Sequence, residues 1–135
     1  MRLKILFTTI CVMGLSFQIY AQDLSITKQL KLNQANQEQN IVGTVKGYDS
    51  RKYTIKVKGK QTLTVDMKSD DVYFNVYSPY KDEKKDDAFF VSKGEGKHFK
   101  SALLKNGMYI IRVYLKDEEA KNDIKRIFEI HVGLK

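Results

Sequence analysis

Strict alternation of apolar and polar residues constrains this chain most. In Tyr53-Thr54-Ile55-Lys56-Val57 the odd positions are apolar and the even ones polar. The pattern returns in Asn106-Gly107-Met108-Tyr109-Ile110-Ile111-Arg112-Val113, where a turn again leads into the run. A period of two puts successive side chains on opposite faces, which predicts half-buried strands. Further runs follow at spacings of about 8–12 residues, with turn residues between them, the layout of a sandwich or barrel.

Reading along the chain, strands are expected around Leu24–Leu32, Ile41–Val45, Tyr53–Val57, Leu63–Met67, Val72–Tyr77, Ala88–Val91, Phe99–Leu104, Met108–Leu115 and Ile127–Val132. The Ala88 and Phe99 runs are the weakest of these. Residues Asn33–Asn40 read as a loop, and Lys116–Asp123 is long enough for one helical turn only. The expected fold is all-β, a sandwich or a barrel, with at most one short helical turn.

Residues 1–21 read as a leader, not as part of the domain. Arg2 and Lys4 precede the apolar run Ile5–Phe17, and Ala21 precedes polar sequence. That is the layout of a secretory signal peptide, and the run is too short to span a bilayer. Cleavage after Ala21 leaves one domain, residues 22–135. It lowers the net charge from +8 to +6, because Arg2 and Lys4 leave, and it removes the only cysteine, Cys11. The missing disulfide fits a bacterial envelope better than a small extracellular scaffold, and no stable membrane insertion is expected after signal removal.

No residue pattern points to catalysis. The histidines are His98 and His131, of which His131 reads as a strand residue on the wetter face, and the acidic pairs Asp70-Asp71, Asp86-Asp87 and Glu118-Glu119 are sequence neighbours that point apart on a strand. The loop Tyr80–Asp87 interleaves lysines with its acids, which opposes a calcium ion. Gly94-Glu95-Gly96 lacks the Lys-Ser/Thr of a phosphate loop. No catalytic residue, metal or other cofactor is expected. Lys52, Lys56, Lys58 and Lys60 line one strand face and its turn, but exposed aromatics are not interleaved with them, so nucleic acid is not an expected partner. Such a surface suits an acidic groove or an acidic envelope surface. Lysines along exposed strand edges disfavour edge pairing, so a monomer is expected.

Ordered motifs add a resemblance. Lys46-Gly47-Tyr48-Asp49, Tyr53-Thr54, Lys58-Gly59-Lys60-Gln61, Leu63-Thr64-Val65 and Asp71-Val72-Tyr73-Phe74 occur in that order. Ser78-Pro79, Asn106-Gly107-Met108-Tyr109-Ile110-Ile111-Arg112-Val113, Ala120-Lys121-Asn122 and the strand around Phe128 follow. Together they resemble the periplasmic inhibitors of goose-type (g-type) lysozyme over roughly residues 41–132. The resemblance implies a periplasmic protein, a single antiparallel β-sandwich of about eight strands whose surface loops plug the active-site cleft of that enzyme. It implies that Tyr48, Lys121, Lys116, Asn106, Gly107 and Tyr109 lie on the lysozyme-binding surface. Asn106 stands for a serine of the family pattern and Lys121 for an arginine. Asp117 stands where a second arginine is expected, with Lys116 beside it. Lysine keeps the charge but lacks the planar fork that grips a carboxylate. The same sequence also looks like the accessory sandwich domains of secreted bacterial peptidases, which implies an alternative: a non-catalytic module that binds envelope polysaccharide.

Overall fold

A computed structural model of the protein describes residues 25–32, 37–82 and 87–135. The whole of the expected leader, residues 1–21, lies outside the described residues. Among the described residues, nine strands and two short helices follow one another: β1 (Ser25–Leu30), β2 (Glu38–Lys46), β3 (Ser50–Val57), β4 (Gln61–Met67), β5 (Val72–Tyr77), β6 (Phe90–Val91), α1 (Ser92–Glu95), β7 (His98–Leu103), β8 (Gly107–Leu115), α2 (Asp117–Lys121) and β9 (Lys125–Leu134). Two sheets form, in the orders β1-β3-β8-β5-β6 and β2-β9-β4-β7.

The alternation is what packs these sheets together. In β3, Tyr53, Ile55 and Val57 are buried, while Lys52, Thr54 and Lys56 face outward. In β8 the buried set is Tyr109, Ile111, Val113 and Leu115, and in β9 it includes Phe128, Ile130 and Val132. Each sheet therefore turns an apolar face to the other, and one continuous core fills the space between them. The all-β sandwich expected from the sequence is the fold observed.

Four details differ from expectation. The strand expected over Ala88–Val91 is reduced to two residues, β6, because only Phe90 and Val91 reach β5. The strand β2 begins at Glu38, inside the segment expected to be a loop, because Glu38–Asn40 continues the ladder opposite His131–Gly133. The strand β1 runs parallel to β3, although an antiparallel sandwich was expected; alternation fixes which face is buried and not the direction of the neighbour. A second helical turn, α1, joins the one expected near residue 117. It is held by a tertiary contact: the buried Ser92 hydroxyl accepts a hydrogen bond from the Phe74 amide at 2.8 Å. Ser-Lys-Gly-Glu has no apolar periodicity that would announce a helix.

Candidate functional site

The turn between β2 and β3 is a short reversal, with the Asp49 amide donating to the Lys46 carbonyl at 3.0 Å. It is possible here because Gly47 adopts a left-handed backbone, with φ of +58°. A side chain at that position would also collide with Asp123, since a Cβ would lie 2.5 Å from Oδ1. The turn is fastened to the start of β9: the Gly47 amide donates to the Ile124 carbonyl at 3.0 Å, and Lys46 Nζ lies 3.2 Å from Asp123 Oδ2. Next in the chain, Tyr48 is left 58% exposed. An aromatic ring on a pinned turn loses little freedom when a partner covers it.

The neighbouring element is α2, between Lys116 and Lys121. Five residues cannot hold a helix in water by themselves. Ala120 anchors it in the core, and its amide donates to the Lys116 carbonyl at 2.9 Å. The chain leaves through Asp123 in a left-handed conformation (φ 54°), with the Ile124 amide returning to the Glu119 carbonyl at 3.0 Å. Lys116 and Lys121 are both exposed at the two ends of this turn.

Glu119 clamps the same region to β9. Arg126 Nε donates to Glu119 Oε2 at 3.1 Å, and Nη2 reaches Oε1 as well, a two-pronged guanidinium–carboxylate contact. The hydrogen bond from Arg126 holds the Glu119 carboxyl below its ordinary value of 4.5. A carboxyl lowered in the folded state contributes stability that is present above the unfolded value and lost as pH falls through the folded one. Glu119→Gln is therefore expected to melt below the wild type at pH 7, with the gap closing as pH drops below 4.5. Thermal melts of both proteins across that range check the sign; a gap that widens in acid refutes it.

Between the turn, α1 and α2 lies an open cleft of about 260 Å³, lined by Tyr48, Lys93, Arg112, Tyr114 and Asp117 among others. Its floor is the outer face of β5 and β8. There the Tyr114 hydroxyl donates to Asn75 Oδ1 at 2.7 Å, and the Arg112 guanidinium lies 5.3 Å from the Tyr114 ring centre. Burial pushes the Tyr114 hydroxyl up to about 12, against a lesser downward pull from Arg112, so it stays protonated as a donor. Lys93 Nζ sits 3.5 Å from Asp117 Oδ2. The acid at 117 is thereby partly neutralised by a cation from another element. Sequence reading missed both Lys93 and Arg112 as members of this surface. The alternation around Arg112 does show that it faces outward, but Lys93 reaches the rim only because burial of Ser92 fixes α1 beside β5.

The six residues singled out in the sequence do not form one surface. Tyr48, Lys116 and Lys121 gather at one end of the sandwich, whereas Asn106, Gly107 and Tyr109 lie at the other, where β8 begins. The nine residues of β8 separate them by about 27 Å. The second group has structural partners. Asn106 Oδ1 accepts the Gly59 amide and ties the β3–β4 turn to the β7–β8 turn. Gly107 has φ of +134°, and a Cβ there would lie 2.8 Å from that of Pro79. Tyr109 is only 2% exposed, and its hydroxyl donates to the Lys105 carbonyl at 3.2 Å. Among the described residues no group of three or more His, Cys, Asp or Glu could hold a metal ion, and no helix is long and apolar enough to cross a membrane.

Neither a family model nor a curated protein matches this sequence. Solved structures do. The crystal structure of Aeromonas hydrophila PliG, a periplasmic lysozyme inhibitor of g-type lysozyme, matches with a TM-score of 0.77 and 25% identity, covering 84% of this chain and 100% of that one. A mutant of the Escherichia coli PliG matches with a TM-score of 0.65 and 17% identity, over 83% of this chain and 99% of that one. The pre-peptidase C-terminal domain of a Bacillus anthracis collagenase shares the fold at a TM-score of 0.52 and 16% identity, over 82% of this chain and 96% of that one. The structural neighbours thus bear out the resemblance to periplasmic inhibitors of g-type lysozyme read from the sequence.

Proposed function

We propose that this protein is a periplasmic inhibitor of g-type lysozyme, exported by its first 21 residues and non-catalytic. The observation that carries the reading is the structural match over the whole length of the Aeromonas hydrophila inhibitor. The inhibitory surface is the rim formed by Tyr48, Lys116 and Lys121, which occludes the enzyme's active-site cleft. Asn106, Gly107 and Tyr109 stay outside it and act as fold residues.

The chemistry of the target supports this assignment. A glycosidase cleft carries a carboxylic acid, because the leaving sugar oxygen must receive a proton. A cation paired with an aromatic ring suits such a groove, and desolvated tyrosines and basic anchors commonly dominate interface energy. Lysozymes are usually basic, and this chain is basic too, so long-range steering contributes nothing and recognition is local to the cleft.

Titration of residues 22–135 into a g-type lysozyme digesting purified peptidoglycan tests the proposal. Stoichiometric loss of activity is expected, and undiminished activity at micromolar excess rejects it. A second reading, a module that binds the wall itself, rests on the sequence's likeness to accessory sandwich domains, a fold that the collagenase domain shares. Sedimentation of the protein with purified peptidoglycan in the absence of lysozyme separates the two: the inhibitor stays in the supernatant and the module pellets.

A further inference from the structure

The strand β2 (Glu38–Lys46) is an edge of the four-stranded sheet, and only β9 pairs with it among the described residues. The phase of its hydrogen bonds can be read from its two ends. The Leu134 amide donates to the Gln37 carbonyl at 2.8 Å, and the Gly47 amide to the Ile124 carbonyl at 3.0 Å. In this register, bonds to β9 fall on odd-numbered residues of β2. The amides and carbonyls of Glu38, Asn40, Val42, Thr44 and Lys46 therefore point along the open edge. Their side chains share the outer face of the sheet, where Val42 is 69% exposed.

This edge is self-complementary. A second copy laid antiparallel about a two-fold axis through Val42 brings Val42 against Val42, Asn40 against Thr44, and Glu38 against Lys46 at both ends. Every outward backbone group of the strand then meets a partner. The charges of the end pairs are opposite, which favours cross-strand pairing. Ile127, 72% exposed on β9 and diagonal to Val42, adds apolar surface from each copy. Among the described residues, Glu38 and Lys46 pair on their own chain with exposed partners, Lys135 at 3.8 Å and Asp123 at 3.2 Å. The lysines that would blunt an edge, Lys52 and Lys56, lie on β3, which is flanked by β1 and β8.

We propose that β2 is a dimerisation edge whose occupant is a second copy of this chain, giving a continuous eight-stranded sheet across a two-fold axis. Tyr48 lies six residues beyond Val42, so the two rims end up about 40 Å apart, one at each end of the paired strands. Both remain free, and the dimer does not depend on the lysozyme-inhibitor reading.

Sedimentation velocity of the protein purified from the envelope, over micromolar to submillimolar concentration, tests this directly. A shift from one chain mass to twice that mass is expected. Val42→Pro removes an amide that makes no bond to β9, so the monomer should keep its melting curve while the dimer is lost. Glu38→Lys and Lys46→Glu should each weaken the dimer about tenfold, because two attractive pairs become two like-charge pairs, and the double exchange should restore it. A single-chain mass throughout overturns the proposal. So does a dimer that survives Val42→Pro, or a double exchange no tighter than the single ones.

Discussion

Tyr48→Ala should weaken lysozyme inhibition by about 2 kcal/mol or more, roughly thirtyfold in the inhibition constant. The tyrosine is the large exposed ring on the rim, and its turn is fixed by Gly47 and by the contacts of Lys46 and Gly47 with the α2–β9 connection. The loss should appear without a change in melting temperature, because the ring contributes little to the core. Lys121→Ala should cost less, about 1 kcal/mol, and Lys121→Arg should tighten binding by restoring a bidentate partner for a carboxylate. Asn106→Ala is the control at the far end. It should lower stability by about 1 kcal/mol, through the lost bond to the Gly59 amide, and leave inhibition unchanged. Inhibition titrations and thermal melts on the same four proteins give the answer. Equal loss of inhibition in Tyr48→Ala and Asn106→Ala would mean that the rim has been drawn at the wrong end.

Phe128→Ala is expected to have the largest effect on folding. Its ring is 1% exposed, stands opposite Gly43 in the β2–β9 ladder, and fills the core between the sheets. Truncating a buried phenylalanine costs about 3–5 kcal/mol, the sum of lost transfer energy and the cavity left behind. Against a total of about 5–15 kcal/mol for a domain, that brings the protein close to unfolding. Ile127→Lys, one residue away and facing outward, should change stability by less than about 0.5 kcal/mol. Urea denaturation of both variants compares them. A cost for Ile127→Lys approaching that of Phe128→Ala would contradict the alternation on which the sandwich rests.

The contrast between those two neighbours shows which part of the molecule the sequence makes legible. Tyr53, Ile55 and Val57, and Ile111 and Val113, announce their buried face because the pleat has a period of two and nothing else is needed to read it. Strand β5 is bounded as expected, since Val72 follows the left-handed Asp71 and Tyr77 precedes Ser78-Pro79. Helix α1 carries no such signal. It exists because one serine hydroxyl meets one amide eighteen residues earlier. The parallel direction of β1 is equally silent, as a strand's side-chain pattern reads the same in either direction.

The candidate site divides along the same line. Gly47 and Tyr48 can be picked out as a turn with an exposed ring, and Lys116 and Lys121 as cations flanking one helical turn. Asn106, Gly107 and Tyr109 share the look of a functional loop, and only the run of β8 reveals that they stand at the opposite end with structural partners of their own. Lys93 joins Asp117 from a different element, a pairing with no trace in local sequence. Side-chain alternation is a local property of the backbone, so the sequence alone determined that strands form and which of their faces are buried. Which ends of the strands come together depends on pairing between distant segments, and only the tertiary structure decided that Tyr48 shares its rim with α2.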